Sequence, residues 1–421
     1  MSARDRHVEV YVDLAGTSHH VGELWARVGK TGRESATFKY DVAWMENPER
    51  FALEPALALG PGDYQTQSGQ SLFGALGDSA PDRWGRALMR RAERRRADSA
   101  SEPHRTLNEI DYLLLVNDQA RQGALRFKDD QGGPFLADRS SQVIPPLVEL
   151  PRLLHAADRI ANDSEDDEDL RLLLAPGSSL GGARPKASVI DSDGALAIAK
   201  FPHKNDEIDA VRWEAVALTL AKKAGIEAPE WRLELAADRP VLVIRRFDRQ
   251  GDVRIPFLSA MSMLGGKDHE TRSYMEFVDA LRQNGADPHA DMHALWRRIV
   301  FNILISNSDD HLRNHGFLSL GPAGWRLSPA YDMNPVPVDL KPRILSTNID
   351  LDDGTASIDL AMSVADYFEL SADEAHEIAA EVAQSTRAWR ATAERLGISA
   401  GEIHRMASAF EHADSESLAG D

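Results

Sequence analysis

The sequence predicts an α+β fold in which a small β-rich N-terminal domain precedes a two-lobed core, strand-rich first and helical afterwards. Three observations carry that prediction. Apolar residues alternate with polar ones early in the chain: Val8, Val10 and Val12, then Val21 and Leu24, then Phe38 and Tyr40, with Gly16 and Gly29 between them. A period of two marks half-buried strands joined by hairpin turns. A second strand pair, Ala187–Ile190 and Ala195–Phe201, flanks a turn at Asp191–Gly194. From about residue 272 onward the apolar spacing is helical, until a small, polar, acidic tail that is expected to fray.

Between these landmarks the elements follow in order. Residues 81–97 read as a helix, with Pro81 in its first turn and Asp78 or Ser79 able to cap it. It carries Arg83, Arg86, Arg90, Arg91, Arg94, Arg95 and Arg96, which read either as a solvated face or as a docking surface for an acidic partner or nucleic acid. Helical patterns recur near 107–119 and 146–160. The almost wholly acidic run Asp163–Asp169 reads as an exposed linker or loop. Residues 207–224 read as a helix ended by Gly225, and Val241–Ile244 as a buried strand. The expected segments are therefore 1–140, an N-terminal domain, 141–250, a small lobe, and 251–421, a helical large lobe.

Composition narrows the function. With 421 residues, 43% of them hydrophobic, a sizeable core can form. A net charge of −19 repels phosphate backbones at long range, which argues against DNA or an acidic membrane as the main ligand unless a local basic patch overrides it. The absence of cysteine removes disulfides, thiolate zinc sites and a cysteine nucleophile, and suits a reducing compartment. Met1–Val10 is charged and has no apolar core of a signal peptide, and apolar stretches such as Ile299–Ile305 are too short to span a bilayer. A cytoplasmic location is expected.

The strongest motif is Asn307-Ser308-Asp309-Asp310-His311-Leu312-Arg313-Asn314, followed by Tyr331-Asp332-Met333. Phosphoryl transfer needs a carboxylate to orient the attacking hydroxyl and accept its proton, and oxygen ligands for the Mg²⁺ that bridges the phosphates. In protein kinases the catalytic Asp and a metal-binding Asn are separated by four residues, and a second Asp follows a hairpin. Asp309 and Asn314 have that spacing, and strands at Leu318–Leu320 and Trp325–Leu327 supply a hairpin that returns Asp332 to the site. Asp310 is a rival for the base, without the spacing to Asn314. His311 and His315 have a zinc-compatible spacing, but the HExxH glutamate is absent and Gly316 follows at once. His311 more readily shapes the loop or touches phosphate.

Upstream, Ser178-Ser179-Leu180-Gly181-Gly182-Ala183-Arg184-Pro185-Lys186 precedes a strand. Small residues let backbone N–H groups approach phosphate oxygens, and a lysine adds charge. It is neither a Walker A motif nor G-x-G-x-x-G, and its meaning comes from lying ahead of Lys200, which ends an apolar strand as the phosphate-pairing lysine of a kinase does. Glu214 is a candidate ion-pair partner for Lys200, with Glu207 as competitor. The strand Val241–Ile244 runs into Arg245-Arg246-Phe247-Asp248-Arg249, where backbone groups can meet adenine and Phe247 can pack near the ring.

In combination these blocks resemble the HipA family, the serine/threonine-protein kinase toxins of type II toxin–antitoxin systems. Val21-Gly22-Glu23-Leu24, Phe38-Lys39-Tyr40, Asp78 to Arg86 and Gly123-Ala124-Leu125 are similar to its N-terminal domain. Ser179 to Lys186, Ala199-Lys200-Phe201-Pro202, Arg246-Phe247-Asp248-Arg249, Ser308 to Asn314 and Tyr331-Asp332 are similar to its core. The resemblance implies a small β-rich N-terminal domain joined to a bilobed protein-kinase-like core with a helical C-terminal lobe. It implies Asp309 as the catalytic base and Asn314 and Asp332 as Mg²⁺ ligands. Around ATP it places Gly181, Gly182, Ala183, Arg184, Pro185, Lys186, Lys200, Arg245, Arg246, Phe247, His311, Leu312, Arg313, Asn314, Tyr331 and Asp332. Ser179 matches the serine that relatives autophosphorylate to switch themselves off, with Ser178 its adjacent rival. A small helix-turn-helix antitoxin, which would mediate contact with DNA, and a protein substrate such as an aminoacyl-tRNA synthetase are the implied partners. Arg184-Pro185 and Arg245 are more basic than some relatives carry. A small-molecule kinase and a non-catalytic co-repressor scaffold are the competing readings.

Overall fold

The computed structural model describes residues 5–137, 144–174, 182, 184–268 and 270–418. The chain divides into two compact units, Met1–Lys204 with Glu234–Leu258, and Asn205–Leu233 with Ser259–Asp421. Residues 205–233 fall in the second unit and residues 251–258 in the first.

The first unit opens on an antiparallel sheet in the order Asp63–Gln65, Glu34–Tyr40, Thr17–Val28, Arg6–Leu14, Leu125–Lys128. Alternation sends Val8, Val10, Val12, Leu24 and Phe38 to one buried face. Ala15 and Gly16 both take positive φ (49° and 80°), the two-residue hairpin turn whose twist suits its flanking strands. Gly22 is required by packing: a Cβ there would lie 2.1 Å from the Lys39 carbonyl oxygen.

A second antiparallel group joins Lys186–Ile190, Leu196–Lys200 and Arg239–Arg245. Its inner face, Ala187, Val189, Ala197, Ala199, Val241 and Val243, packs with Leu153, Leu154, Ile160, Leu170 and Leu173 and with Trp84 and Leu88. The arginine-bearing helix thus belongs to this core. It spans Arg83–Ala100, and its N-cap is Asp82, which accepts from the Gly85 N–H at 2.8 Å, in place of the expected Asp78 or Ser79.

The acidic run is not the exposed linker its composition suggested. Its second half forms a helix, Asp167–Leu174. Its carboxylates meet arginines: Arg91 with Asp163 at 2.7 Å and Glu165 at 2.8 Å, Arg95 with Asp167 at 3.3 Å, and Arg159 with Asp169 at 3.0 Å. The helix face that read as solvated or as a docking surface is in good part occupied by this segment of its own chain.

The second unit is built on helices. Pro288–Leu304 starts from an Asp287 cap and has Leu295, Trp296, Ile299, Val300, Phe301, Ile303 and Leu304 fully buried, as a central helix must. Tyr274–Asn284 begins with a Ser273/Glu276 capping box. Trp389 stacks on Phe410 at 4.6 Å, and Trp213 lies beside both. The expected hairpin is present as Gly316–Ser319 and Trp325–Leu327, antiparallel with Phe317 opposite Leu327. Residues 329–357 then run as turns and isolated bridges. No helix among the described residues is long and apolar enough to cross a membrane.

Candidate catalytic loop and phosphate-binding strands

The loop of the second unit starts where Pro288–Leu304 ends, with Ser306 in the left-handed region at φ 52°. That turn reverses the chain, and the Asn307 N–H closes on the Asn302 carbonyl at 2.9 Å. The next residues alternate between buried anchors and exposed groups.

Asp310 is an anchor. Only 3% exposed, its Oδ2 accepts from Asn302 Nδ2 at 2.7 Å, from His315 Nε2 at 2.7 Å and from the Tyr274 hydroxyl. Burial and the neighbouring Asp310 charge push the Tyr274 phenol well above its ordinary range, so it stays a donor. The Thr347 hydroxyl donates to the Asp310 carbonyl at 2.7 Å. A carboxylate oxygen with three donors is a fixture of the fold.

Asp309, one residue earlier, is exposed. Its Oδ1 lies 2.9 Å from Lys341 Nζ. Asn314 is buried, and its Nδ2 donates to the Asp309 carbonyl at 3.0 Å. That bond orients the amide and leaves Asn314 Oδ1 a buried acceptor with no hydrogen-bond partner among the described residues; His311 Nδ1 is likewise buried and unpartnered among them. Two tethers bring the following segment onto the loop: the Tyr331 hydroxyl donates to the Arg313 carbonyl at 2.9 Å, and the Asn334 N–H donates to Asn307 Oδ1 at 3.3 Å. Between them Asp332 is held at φ 58°, a conformation that costs a non-glycine residue about 1–3 kcal/mol and recurs at functional sites. Asn334 Nδ2 lies 3.4 Å from Asp332 Oδ1.

An unpartnered amide oxygen and a carboxylate brought onto the same loop are the donors a hard divalent cation takes. Asn314 and Asp332 therefore fit Mg²⁺. Zinc is not favoured: His315 Nε2 is engaged by Asp310, and the one His/Asp/Glu cluster with metal-ligand spacing among the described residues is His7, Glu9 and Glu23. Leu312 is buried, and Arg313 pairs with Asp268 at 3.1 Å.

The phosphate-loop residues lie in the first unit. Ser178, Ser179, Gly181 and Ala183 fall outside the described residues. Gly182 has φ 99°, and a Cβ on it would lie 3.5 Å from Lys186 Nζ. Lys186 is buried, pairs with Asp82 at 2.6 Å, and stands directly opposite Lys200 across the strands. Like charges at opposed positions are unfavourable alone, and Asp82 offsets that of Lys186. Pro185 is buried and accepts from the Phe201 N–H at 3.0 Å, while Arg184 is exposed. Glu214 is buried on the helix Ala210–Lys223, whereas Glu207 pairs with Arg405 at 2.9 Å.

At the hinge, Arg245 is exposed and pairs with Asp193 at 2.8 Å. Arg246 has a buried guanidinium, which pairs with Asp248 and donates to the Ala120 and Arg121 carbonyls at 2.5 and 3.2 Å. Asp248 also accepts from the Gly123 N–H at 2.8 Å and from Arg249 at 2.9 Å. Burial pushes the Asp248 carboxyl up, but Arg246 and Arg249 hold it well below the usual range. The Arg246 side chain ties the hinge to residues 120–123 and leaves to a nucleotide only what the backbone offers. Phe247 is half-buried beside Phe257.

Sequence reasoning missed Lys341, Tyr274 and Asn302. Tyr274 and Asn302 lie on helices that read simply as amphipathic, and Lys341 sits in an irregular segment with no pattern to mark it.

Comparison with known proteins agrees with this architecture. The HipA-like C-terminal domain family matches residues 178–390. A putative kinase, Y4mE, of Sinorhizobium fredii is 24% identical over 331 residues, covering 70% of this chain and 71% of the relative. A putative kinase of Haemophilus influenzae is 24% identical over 197 residues, covering 41% of this chain and 56% of its own. The fold is that of HipA from Shewanella oneidensis MR-1, solved in a toxin–antitoxin complex with HipB and operator DNA: TM-score 0.67, 17% identity, 98% of this chain and 95% of that one. The chain belongs to the family that shares the HipA-like C-terminal domain.

Proposed function

We propose that this protein is an ATP- and Mg²⁺-dependent serine/threonine protein kinase, that it acts as the toxin of a type II toxin–antitoxin pair, and that it silences itself by phosphorylating Ser179. The observation that carries the catalytic part is the division of labour between neighbouring aspartates. Asp310 is immobilised by three donors, while Asp309 is exposed and its carbonyl accepts from the amide of Asn314, whose oxygen has no partner among the described residues.

In this reading Asp309 accepts the proton of a serine or threonine hydroxyl as its oxygen bonds to the γ-phosphorus and the bond to the β-phosphate oxygen breaks, releasing ADP. Asn314 and Asp332 would hold Mg²⁺, which would supply neutralisation of phosphate charge. Lys186 and Lys200 attract the phosphates, and the Arg245–Phe247 backbone meets adenine. Phosphate on Ser179 adds about −1.5 to −2 charge next to the nucleotide phosphates, and repulsion drives the loop away from them. The likeness to a HipA solved with HipB and operator DNA supports a small helix-turn-helix antitoxin as partner, with DNA contacted through it. A translation protein such as an aminoacyl-tRNA synthetase is the proposed target.

Incubation with γ-labelled ATP and a lysate of the native host, followed by phosphosite mass spectrometry, tests the reading. Phosphoserine or phosphothreonine on a translation protein and on Ser179 is expected. Transfer to a sugar or other small molecule, with no protein labelled, would replace it with the small-molecule reading.

A further inference from the structure

We infer that Lys341 is a positioning residue for phosphoryl transfer, holding one oxygen of Asp309 so that the other faces the acceptor hydroxyl; this rests on the kinase reading of the loop. The ion pair alone would not carry the point. Both side chains are about half exposed, 50% for Lys341 and 57% for Asp309. Exposed pairs of this kind contribute about 0–1 kcal/mol to stability.

What sets this pair apart is how the backbone on both sides is fixed. Lys341 follows a turn in which the Leu340 and Lys341 N–H groups donate to the Pro337 carbonyl at 3.0 and 3.3 Å, and Pro342 comes next. Two residues on, Arg343 is anchored to Ser306 Oγ at 3.1 Å, the Ile303 carbonyl at 3.2 Å and Asp414 at 2.8 Å. Then Ser346 Oγ donates to the Ser308 carbonyl at 2.9 Å and Thr347 Oγ1 to the Asp310 carbonyl at 2.7 Å. The segment 341–347 therefore grips the residue before Asp309, the residue after it, and the Asp309 carboxylate itself. A surface lysine that met the aspartate by chance would not sit on a strap registered to the same three residues.

The chemical consequence is orientation. A carboxylate on an exposed loop rotates freely, and each orientation that misses the hydroxyl is unproductive. Pinning Oδ1 to an ammonium leaves Oδ2 as the acceptor.

The test uses the full-length protein, autophosphorylation in Mg·ATP as readout, and the variants Lys341→Met, Lys341→Arg, Asp309→Asn and the Lys341→Met/Asp309→Asn pair. Lys341→Met should lower kcat about tenfold, as loss of orientation does, with KM for ATP within twofold. Lys341→Arg, which keeps the cation, should restore most of the rate. The double variant should be no slower than Asp309→Asn alone, because a residue acting through another adds nothing once that other is gone. A Lys341→Met enzyme at the wild-type rate, an effect that multiplies with Asp309→Asn, or a loss that arginine does not rescue would each overturn the inference. Failure of the wild-type chain to transfer any phosphate would instead remove the kinase reading.

Discussion

The helix Arg83–Ala100 and the loop around Asp309 are both dense in charge, and they use it in opposite ways. On the helix, four of the seven arginines are matched by the chain's own carboxylates: Arg86 takes both oxygens of Glu109 at 2.5 and 2.7 Å, Arg91 takes Asp163 and Glu165, Arg95 takes Asp167, and Arg96 takes Glu93 and Glu102, while Arg83, Arg90 and Arg94 stay exposed. In the loop, Asp310 is saturated by its neighbours and Asp309 meets only the half-exposed Lys341 at 2.9 Å, while Asn314 Oδ1 is a buried acceptor with no partner among the described residues. Charge content does not separate the two regions. What separates them is what remains after the chain's own groups have been counted against one another.

The largest effect should come from removing a proposed metal ligand. Asp332→Ala deletes an anionic oxygen and should weaken Mg·ATP binding and abolish turnover. Calorimetric titration with Mg·ATP checks the first and phosphate transfer the second; an Asp332→Ala protein with normal activity would erase the distinction between loop and helix.

Asp310→Asn attacks the anchor. The amide oxygen can take the three donors now on Oδ2, but the charge that strengthens those bonds is gone, which should cost about 1–3 kcal/mol. Denaturant unfolding should show the loss. A variant with unchanged stability and no activity would make Asp310 the base and invert the comparison.

Glu54 sharpens it from the side of stability. Buried, with the Ala75 N–H donating to it at 2.5 Å, its carboxyl is pushed up to about 7, burial outweighing that hydrogen bond. The folded state then holds a proton that the unfolded chain releases near its ordinary value of 4.5. The unfolded state binds fewer protons between those values, so stability should fall as pH rises from about 4.5 to about 7, by roughly 3 kcal/mol at most. Glu54→Gln keeps an acceptor and removes the charge. Unfolding curves at pH 5 and pH 8 should show it flattening this dependence, and an unchanged dependence would contradict the burial argument.

The smallest effect belongs to the helix. Glu165→Gln removes a partner of Arg91 and should cost no more than about 1 kcal/mol, less at high salt, because the arginine is partly exposed and screened. A large, salt-independent loss would mean that the helix face is a structural core of charge.

The sequence made the frame of the molecule legible where the signal is local. The strands near 8–40, the hairpin at Gly316–Leu327 and the spacing of Asp309 and Asn314 all follow from residues close together in the chain. The rest depends on pairings that no short window contains. Arg91 and Glu165 are 74 residues apart, so the acidic run looked like a linker. Arg246 reaches carbonyls 125 and 126 residues away, a tie that none of its neighbours in the chain announces. Asp310 and Asp309 are chemically identical in the sequence; only the donors from Tyr274, Asn302 and His315 tell the anchor from the exposed carboxylate. Lys341 was invisible because its meaning lies wholly in the strap that carries it.

The most direct test of the account is the rate of transfer from γ-labelled ATP to protein in Asp309→Asn, with folding monitored in the same sample. Asp309 is exposed and makes no buried contact that the amide would disrupt, so the variant should unfold at the wild-type temperature. Its transfer rate should fall by about 10²-fold or more, since the proton acceptor is gone while the shape remains. An Asp309→Asn protein that is folded and transfers phosphate at the wild-type rate would contradict the account.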